Sequence, residues 1–211
     1  MISKVNRNIL MGSLILFFIA WSGIISAAAT TRTSIVDEML NGHILYAVKH
    51  EGYPTDHPLN KHYNPNYYFS TADCTNFVSQ VLHEGGVPKV DAWWRPWWDK
   101  DDWYYHRTGT DPFDANNDDS WSWSWVKAGT LYWHIQARLG TLVNSPSQLL
   151  LGDVIQIDFT SDGTIDHTMV VTMIDSSGNI RVSQHTTNRT NEPLINYFSP
   201  GRTFYYLNIT Y

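Results

Sequence analysis

Cys74 is the one cysteine among 211 residues, and its neighbours suit a nucleophile. Phe77, Val78, Val81 and Leu82 follow it at the spacing of one helix face, so the thiol is placed on the first turn of an amphipathic helix. Ser70, Thr71 and Asp73 just before it are each able to cap that end. Unpaired backbone N–H groups and the positive end of the helix dipole favour thiolate over a thiol of ordinary pKa ~8.5. The same N–H groups are suited to hold an oxyanion.

Such a thiol needs a base, most often an imidazole. His167 opens the apolar run Met169-Val170-Val171, directly after a turn and Asp166, and His185 ends the next predicted strand. If the two strands pair as a hairpin, His167 takes the thiol proton and His185 orients its second nitrogen. A slip of one residue in register would present Gln184 in place of His185. Other chemistries find less support. No His-Glu-x-x-His and no paired cysteines accompany the nine histidines, so no metal is assigned to Cys74, His167 and His185, and no cofactor is expected. No Gly-x-Ser-x-Gly elbow points to a serine hydrolase. Asp114, Asn116 and Asp118 match half of a calcium loop, but Asp119 stands where its glycine belongs and Trp125 where its glutamate belongs, leaving a solvated acidic loop.

The elements that must position these residues follow from pattern. A helix is expected over 34–49 and a second over 74–84, closed by Gly85-Gly86. A polar, aromatic insertion at about 90–122 comes next, then helical spacing over 123–139. β-Branched and aromatic runs at 154–159, 168–174, 180–185 and 203–209, separated by turn residues, read as strands. Helices followed by antiparallel strands argue for an α+β fold. Eight of the ten tryptophans fall between Trp93 and Trp125. They serve either as a platform for sugar rings or peptide faces, or, as with Trp93, Trp94, Trp97 and Trp98, to pack the insertion onto the domain.

The first 29 residues read as a cleaved export signal, with an uncleaved anchor helix as the alternative: Lys4 and Arg7, an apolar stretch from Ile9 to Ile25, and the small residues Ser26-Ala27-Ala28-Ala29. Its removal would leave 30–211 as one domain without a membrane span, secreted or wall-associated, and would move the net charge from −6 to −8. With 14 basic against 20 acidic residues and no basic stripe, nucleic acid is not an expected partner. In an oxidising compartment a lone thiol is a liability unless it is used.

Three stretches carry a resemblance: Asn64-Pro65-Asn66-Tyr67, Asp73-Cys74-Thr75-Asn76-Phe77-Val78-Ser79-Gln80 and His83-Glu84-Gly85-Gly86. Gly152-Asp153-Val154-Ile155, Asp166-His167-Thr168 and Gln184-His185-Thr186 continue it in the same order. From Ile35 onward the chain resembles the putative amidase-domain family of exported bacterial proteins, itself similar to CHAP and NlpC-like cell-wall hydrolases. The resemblance implies a papain-like cysteine hydrolase fold, with the Cys on a helix N-terminus packed against an antiparallel sheet. It implies a triad of Cys74, His167 and His185, acting on peptide-type amides such as peptidoglycan stem peptides. It also implies substrate contacts at Asp73 and Asn76 and oxyanion assistance from Tyr67 or Tyr68; Trp93 and Trp94 are candidate substrate-binding residues on the aromatic-platform reading alone. The alternative is a catalytically idle module of the same fold that binds cell-wall glycan or peptide through its aromatics.

Overall fold

A computed structural model describes residues 64–67, 72–96, 98–109 and 118–211. The expected helix over 34–49, the export signal, Tyr68, Trp97, Asp114 and Asn116 lie outside the described residues. Helix α1 is Cys74–Glu84, and all four apolar positions read from its spacing are fully buried. It closes at Gly85 and Gly86, the latter at φ 105°, where a side chain would be strained. β1 (Tyr105–His106) pairs with β2 (Ser120–Trp121), followed by α2 (Trp123–Val126), α3 (Ala128–His134) and a π-helical turn, Ile135–Leu139. Six further strands complete the fold: β3 (Gly140–Val143), β4 (Val154–Asp158), β5 (His167–Ile174), β6 (Ile180–Gln184), β7 (Arg189–Pro193) and β8 (Thr203–Ile209). They form one antiparallel sheet in the order β3-β8-β4-β5-β6-β7.

The α+β expectation therefore holds, and the four strands read from sequence appear near their expected bounds. β3 and β7 carry no such signal. β3 begins at a glycine, and β7 reads Arg-Thr-Asn-Glu-Pro on an edge, where proline is tolerated and burial is only partial. Alternation along the central strands builds two cores. Val154, Val170 and Leu207 face the helices with Phe77, Val81, Leu82, Trp103 and Trp125. Ile155, Ile157, Met169, Val171 and Val182 face the other way, onto Leu149 and Leu194. The strands read as continuous apolar runs because both of their faces are covered.

The insertion is built into the first core. Val90 bridges Trp103, and Trp103 and Tyr105 are buried with Trp125. The packing role assigned to Trp93, Trp94 and Trp98 is corrected: they are 87%, 68% and 52% exposed, and Trp93 meets Trp94 edge to face. The aromatics with an N–H partner inside took the buried places. Trp103 Nε1 donates to Ser79 Oγ at 3.1 Å and Trp125 Nε1 to Asn76 Oδ1 at 2.7 Å.

Candidate active site

Cys74 is the first residue of α1 and α1 packs chiefly on β5, so the thiol meets the start of the strand that carries His167. Phe77 N–H makes the first intrahelical bond, to Asp73 C=O at 2.9 Å, so Cys74, Thr75 and Asn76 have no intrahelical acceptor for theirs. The sulfur lies 3.8 Å from Thr75 Oγ1 and also takes a hydrogen bond from the Thr168 backbone N–H. Beneath it, Thr75 Oγ1 is 3.2 Å from Thr168 Oγ1, and Gln156 Nε2 reaches Thr168 Oγ1 at 3.1 Å. Burial nevertheless pushes the Cys74 thiol above its ordinary pKa, with the Thr168 and Thr75 hydrogen bonds working in the opposite sense. The expectation of a thiolate held low by the helix end is thereby corrected: with only 4% of the residue exposed, loss of hydration outweighs the local dipoles.

His167, 5% exposed, bonds through Nε2 to Gln184 Oε1 at 2.7 Å. The Gln184 amide is held in turn, because its Nε2 donates to Thr187 C=O at 3.0 Å. With the amide nitrogen spent there, Oε1 faces the imidazole as an acceptor. His167 must then carry its proton on Nε2, which leaves Nδ1 as the basic nitrogen. Burial holds the His167 pKa below its ordinary value, opposed by the Gln184 bond and the Asp166 charge. Sγ and the imidazole line one cleft without a direct hydrogen bond between them.

His185 does something else, and the role expected for it is corrected. Gln184 and His185 are consecutive, so the pleat sends their side chains to opposite faces. Gln184 joins His167, while His185 stacks on Phe77 of α1 at 4.1 Å and bonds Asp73 Oδ2 through Nδ1. Asp73 Oδ1 accepts from Asn76 Nδ2 at 2.6 Å, and that amide also donates to Tyr67 C=O at 2.7 Å. Asp73 therefore does not cap α1 with its side chain, and neither it nor Asn76, which is fully buried, presents polar atoms to a cleft. Burial raises the Asp73 pKa, opposed by its His185 and Asn76 partners. Tyr67 is stacked 5.6 Å from Trp125, burial pushes its phenol to about 12, and it lines neither cleft beside Cys74, where the expected oxyanion contact would require it.

Thr186 and Thr187, just past β6, take φ values of 60° and 85°. Positive φ on a β-branched residue is costly, about 1–3 kcal/mol each, and persists only where the surroundings enforce it. Here the two threonines serve both histidine pairs. Thr186 Oγ1 accepts from Asp73 N–H at 2.9 Å, and Thr187 C=O fixes Gln184. Nothing in Gln-His-Thr-Thr-Asn marks that turn in sequence, so neither residue was expected at the site. Asp153 was likewise met only as part of a motif. It is structural, accepting from Leu150 N–H, Ile209 N–H and Asn208 Nδ2 to join the start of β4 to the end of β8.

Two clefts meet at Cys74, Ala72 and Asp166. One, of about 800 Å³, is walled by Trp123, Tyr132, Trp133 and Tyr205. The other, of about 470 Å³, contains His167 and Gln184. Trp93 and Trp94, the expected platform residues, line neither, whereas Trp123 and Trp133 wall the larger. Among the described residues no cluster of three or more His, Cys, Asp or Glu is placed to hold a metal ion.

Comparison with known proteins identifies the chain at the level of a family. Over 133 residues, 58% of this chain, it is 33% identical to "Uncharacterized protein YhbB" of Bacillus subtilis (strain 168). Over 144 residues, 62% of the chain, it is 33% identical to "Uncharacterized protein YjcM" of the same organism. These matches span 36% and 28% of the two relatives' own lengths. No solved structure matches the chain significantly. The model of the family described as "Putative amidase domain" matches residues 37–207, most of the sequence, and the chain belongs to that family.

Proposed function

We propose that the chain is a cysteine-dependent hydrolase of amide bonds, of papain-like type, with Cys74 as nucleophile and His167 as base. One observation carries the reading: the sole thiol and an imidazole whose Nδ1 is left basic by Gln184 line the same cleft. With the thiol raised and the imidazole lowered, the resting pair is neutral. Proton transfer from Sγ to His167 Nδ1 accompanies attack on the carbonyl carbon. The N–H groups opening α1 receive the oxyanion, and Gln184 Oε1 holds the Nε2–H of the imidazolium. Nδ1–H then protonates the departing nitrogen, the C–N bond breaks, and water resolves the thioester with His167 again as base. The leader-like first 29 residues and the resemblance to cell-wall hydrolases make an exported enzyme acting on peptidoglycan stem peptides the proposed setting.

The test is release of new amines from purified cell wall. Wild type is expected to release them and Cys74→Ala to lose the activity at an unchanged melting temperature. Undiminished release by Cys74→Ala would end the proposal.

A second reading, an idle module that binds wall polymer, draws on the raised thiol and on the missing hydrogen bond between Sγ and the imidazole. Iodoacetamide alkylation followed against pH, with and without cell-wall fragments, separates the two. The hydrolase loses alkylation to fragments that acylate Sγ, an adduct that mass spectrometry detects, whereas the binding module forms no acyl adduct.

A further inference from the structure

We propose that the amine released by this site carries a carboxylate, recognised by Arg189 and Arg202. The inference rests on the hydrolase reading for its direction. His167 must hand its proton to the departing nitrogen, so the leaving amine sits on the His167 side of the sulfur. Of the two clefts meeting at Cys74, only the 470 Å³ one contains His167 and Gln184, which makes it the leaving-group arm. The 800 Å³ arm, walled by Trp123, Tyr132, Trp133 and Tyr205, then takes the acyl side.

The two arms differ in their cations as well as in shape: two arginines stand beside Asp166 and Glu192 in the leaving-group arm, and Lys127, seated over the Trp123 ring, beside Asp166 in the other. Two guanidiniums, Arg189 and Arg202, line the leaving-group arm, and among the described residues neither forms an ion pair with an acid. Each spends one donor on a backbone carbonyl: Arg202 on Tyr197 at 2.7 Å and Arg189 on Asn188 at 2.9 Å. Arg202 is further held over the Phe159 ring at 4.9 Å, and Phe159 lies 5.9 Å from the His167 ring. A guanidinium fixed in orientation, with most of its five donors unspent, is suited to grip a carboxylate in a two-point bond. Each acid in the same arm has one oxygen engaged by protein: Asp166 Oδ2 accepts from Phe159 N–H at 2.8 Å and Glu192 Oε1 from Asn196 Nδ2 at 2.6 Å. The substrate class that fits is an acylated amino acid or peptide whose amine-side residue bears a free carboxylate next to the scissile bond. The C–N bond breaks, His167 supplies the proton, and the amino acid leaves with its carboxylate on the arginines.

The test compares N-acetyl-tryptophanyl-alanine with its C-terminal carboxamide as substrates of the full chain. Wild type should favour the free acid by about tenfold or more in kcat/KM, since a hydrogen-bonded charge in such a pocket is worth that much. Arg189→Gln and Arg202→Gln should bring the ratio toward one, and Trp93→Ala should leave it unchanged. Arg189 is exposed, so its variant keeps the test alive should Arg202→Gln fail to fold. Equal rates on both probes would overturn the inference while leaving the hydrolase intact. If neither probe is cleaved, calorimetric titration of the Cys74→Ala protein with the same pair decides. Tighter binding of the acid supports the carboxylate site even where the hydrolase reading has failed, and no preference, or no binding, overturns it.

Discussion

His167 and His185 are both buried at the same end of the sheet, one opening β5 and the other just past β6, yet the molecule uses them differently. His167 lines a cleft beside Cys74 and is held by a neutral amide. His185 is sealed under α1 between Phe77 and the Asp73 carboxylate. A neutral amide orients the His167 ring from one side, whereas the buried Asp73 carboxylate holds the His185 ring against the helix. The lesson is that chemical type does not set a histidine's role; the strand face it occupies and the partner waiting there do. We read the Asp73–His185 pair as a clasp that fixes the first turn of α1, and with it the sulfur, against β5 and β6.

Substitutions at the two histidines break or sharpen this contrast. The largest effect is expected at the first: His167→Ala should lower kcat for amide hydrolysis by up to about 10⁴-fold, beyond what the about 1–3 kcal/mol of stability lost with its Gln184 bond would account for. Should His185→Ala instead lose activity with no loss of stability, the assignment of the two would be reversed. Next in size, Asp73→Ala strands a buried partner, at about 3 kcal/mol of stability read from urea unfolding. A variant as stable as wild type would remove the clasp from the account.

His134 gives a third measurement, in pH. Burial lowers its pKa from 6.5 to about 4, with Nδ1 bonded to Lys100 C=O at 2.8 Å. A folded pKa below the unfolded one means the unfolded chain binds the extra proton first. Stability should therefore fall as pH drops from 6.5 toward 4, by on the order of 3 kcal/mol, and His134→Asn should flatten that slope. The lowered pKa of His167 adds to the same slope and the raised carboxyls of Asp73, Asp102 and Asp153 oppose it, so the difference between wild type and His134→Asn is the decisive measurement, and identical pH profiles would contradict the His134 burial. The smallest effect is expected at Gln184→Ala, which frees the His167 ring to change tautomer. A loss of about 10- to 100-fold in kcat, with recovery in Gln184→Glu and a shifted pH profile, would mark a positioning residue.

Much of the helix and of the central sheet was legible because apolar spacing reports burial directly. Phe77, Val78, Val81 and Leu82 announce α1, and Met169-Val170-Val171 announces a strand covered on both faces. The edge strands were not legible, since β7 buries too little to need an apolar pattern. Within the site, Cys74 and His167 stood out by type and place. The third position did not, because the register that selects Gln184 over His185 depends on pairing with β5 and on the threonine turn. The thiol's pKa was misjudged for a related reason: helix position shows in the sequence, but the depth of burial does not.

Residue order alone determined that one thiol would sit at the head of an amphipathic helix, that an imidazole would open a buried strand, and that antiparallel strands would follow helices. Those are consequences of local periodicity and of which side chains avoid water. Tertiary structure decided which nitrogen of His167 is basic, which tryptophans wall the cleft, and that His185 clasps the helix in place of serving the base. These depend on groups distant in sequence being pressed together, where the face of a strand and the loss of water set each group's partner and charge.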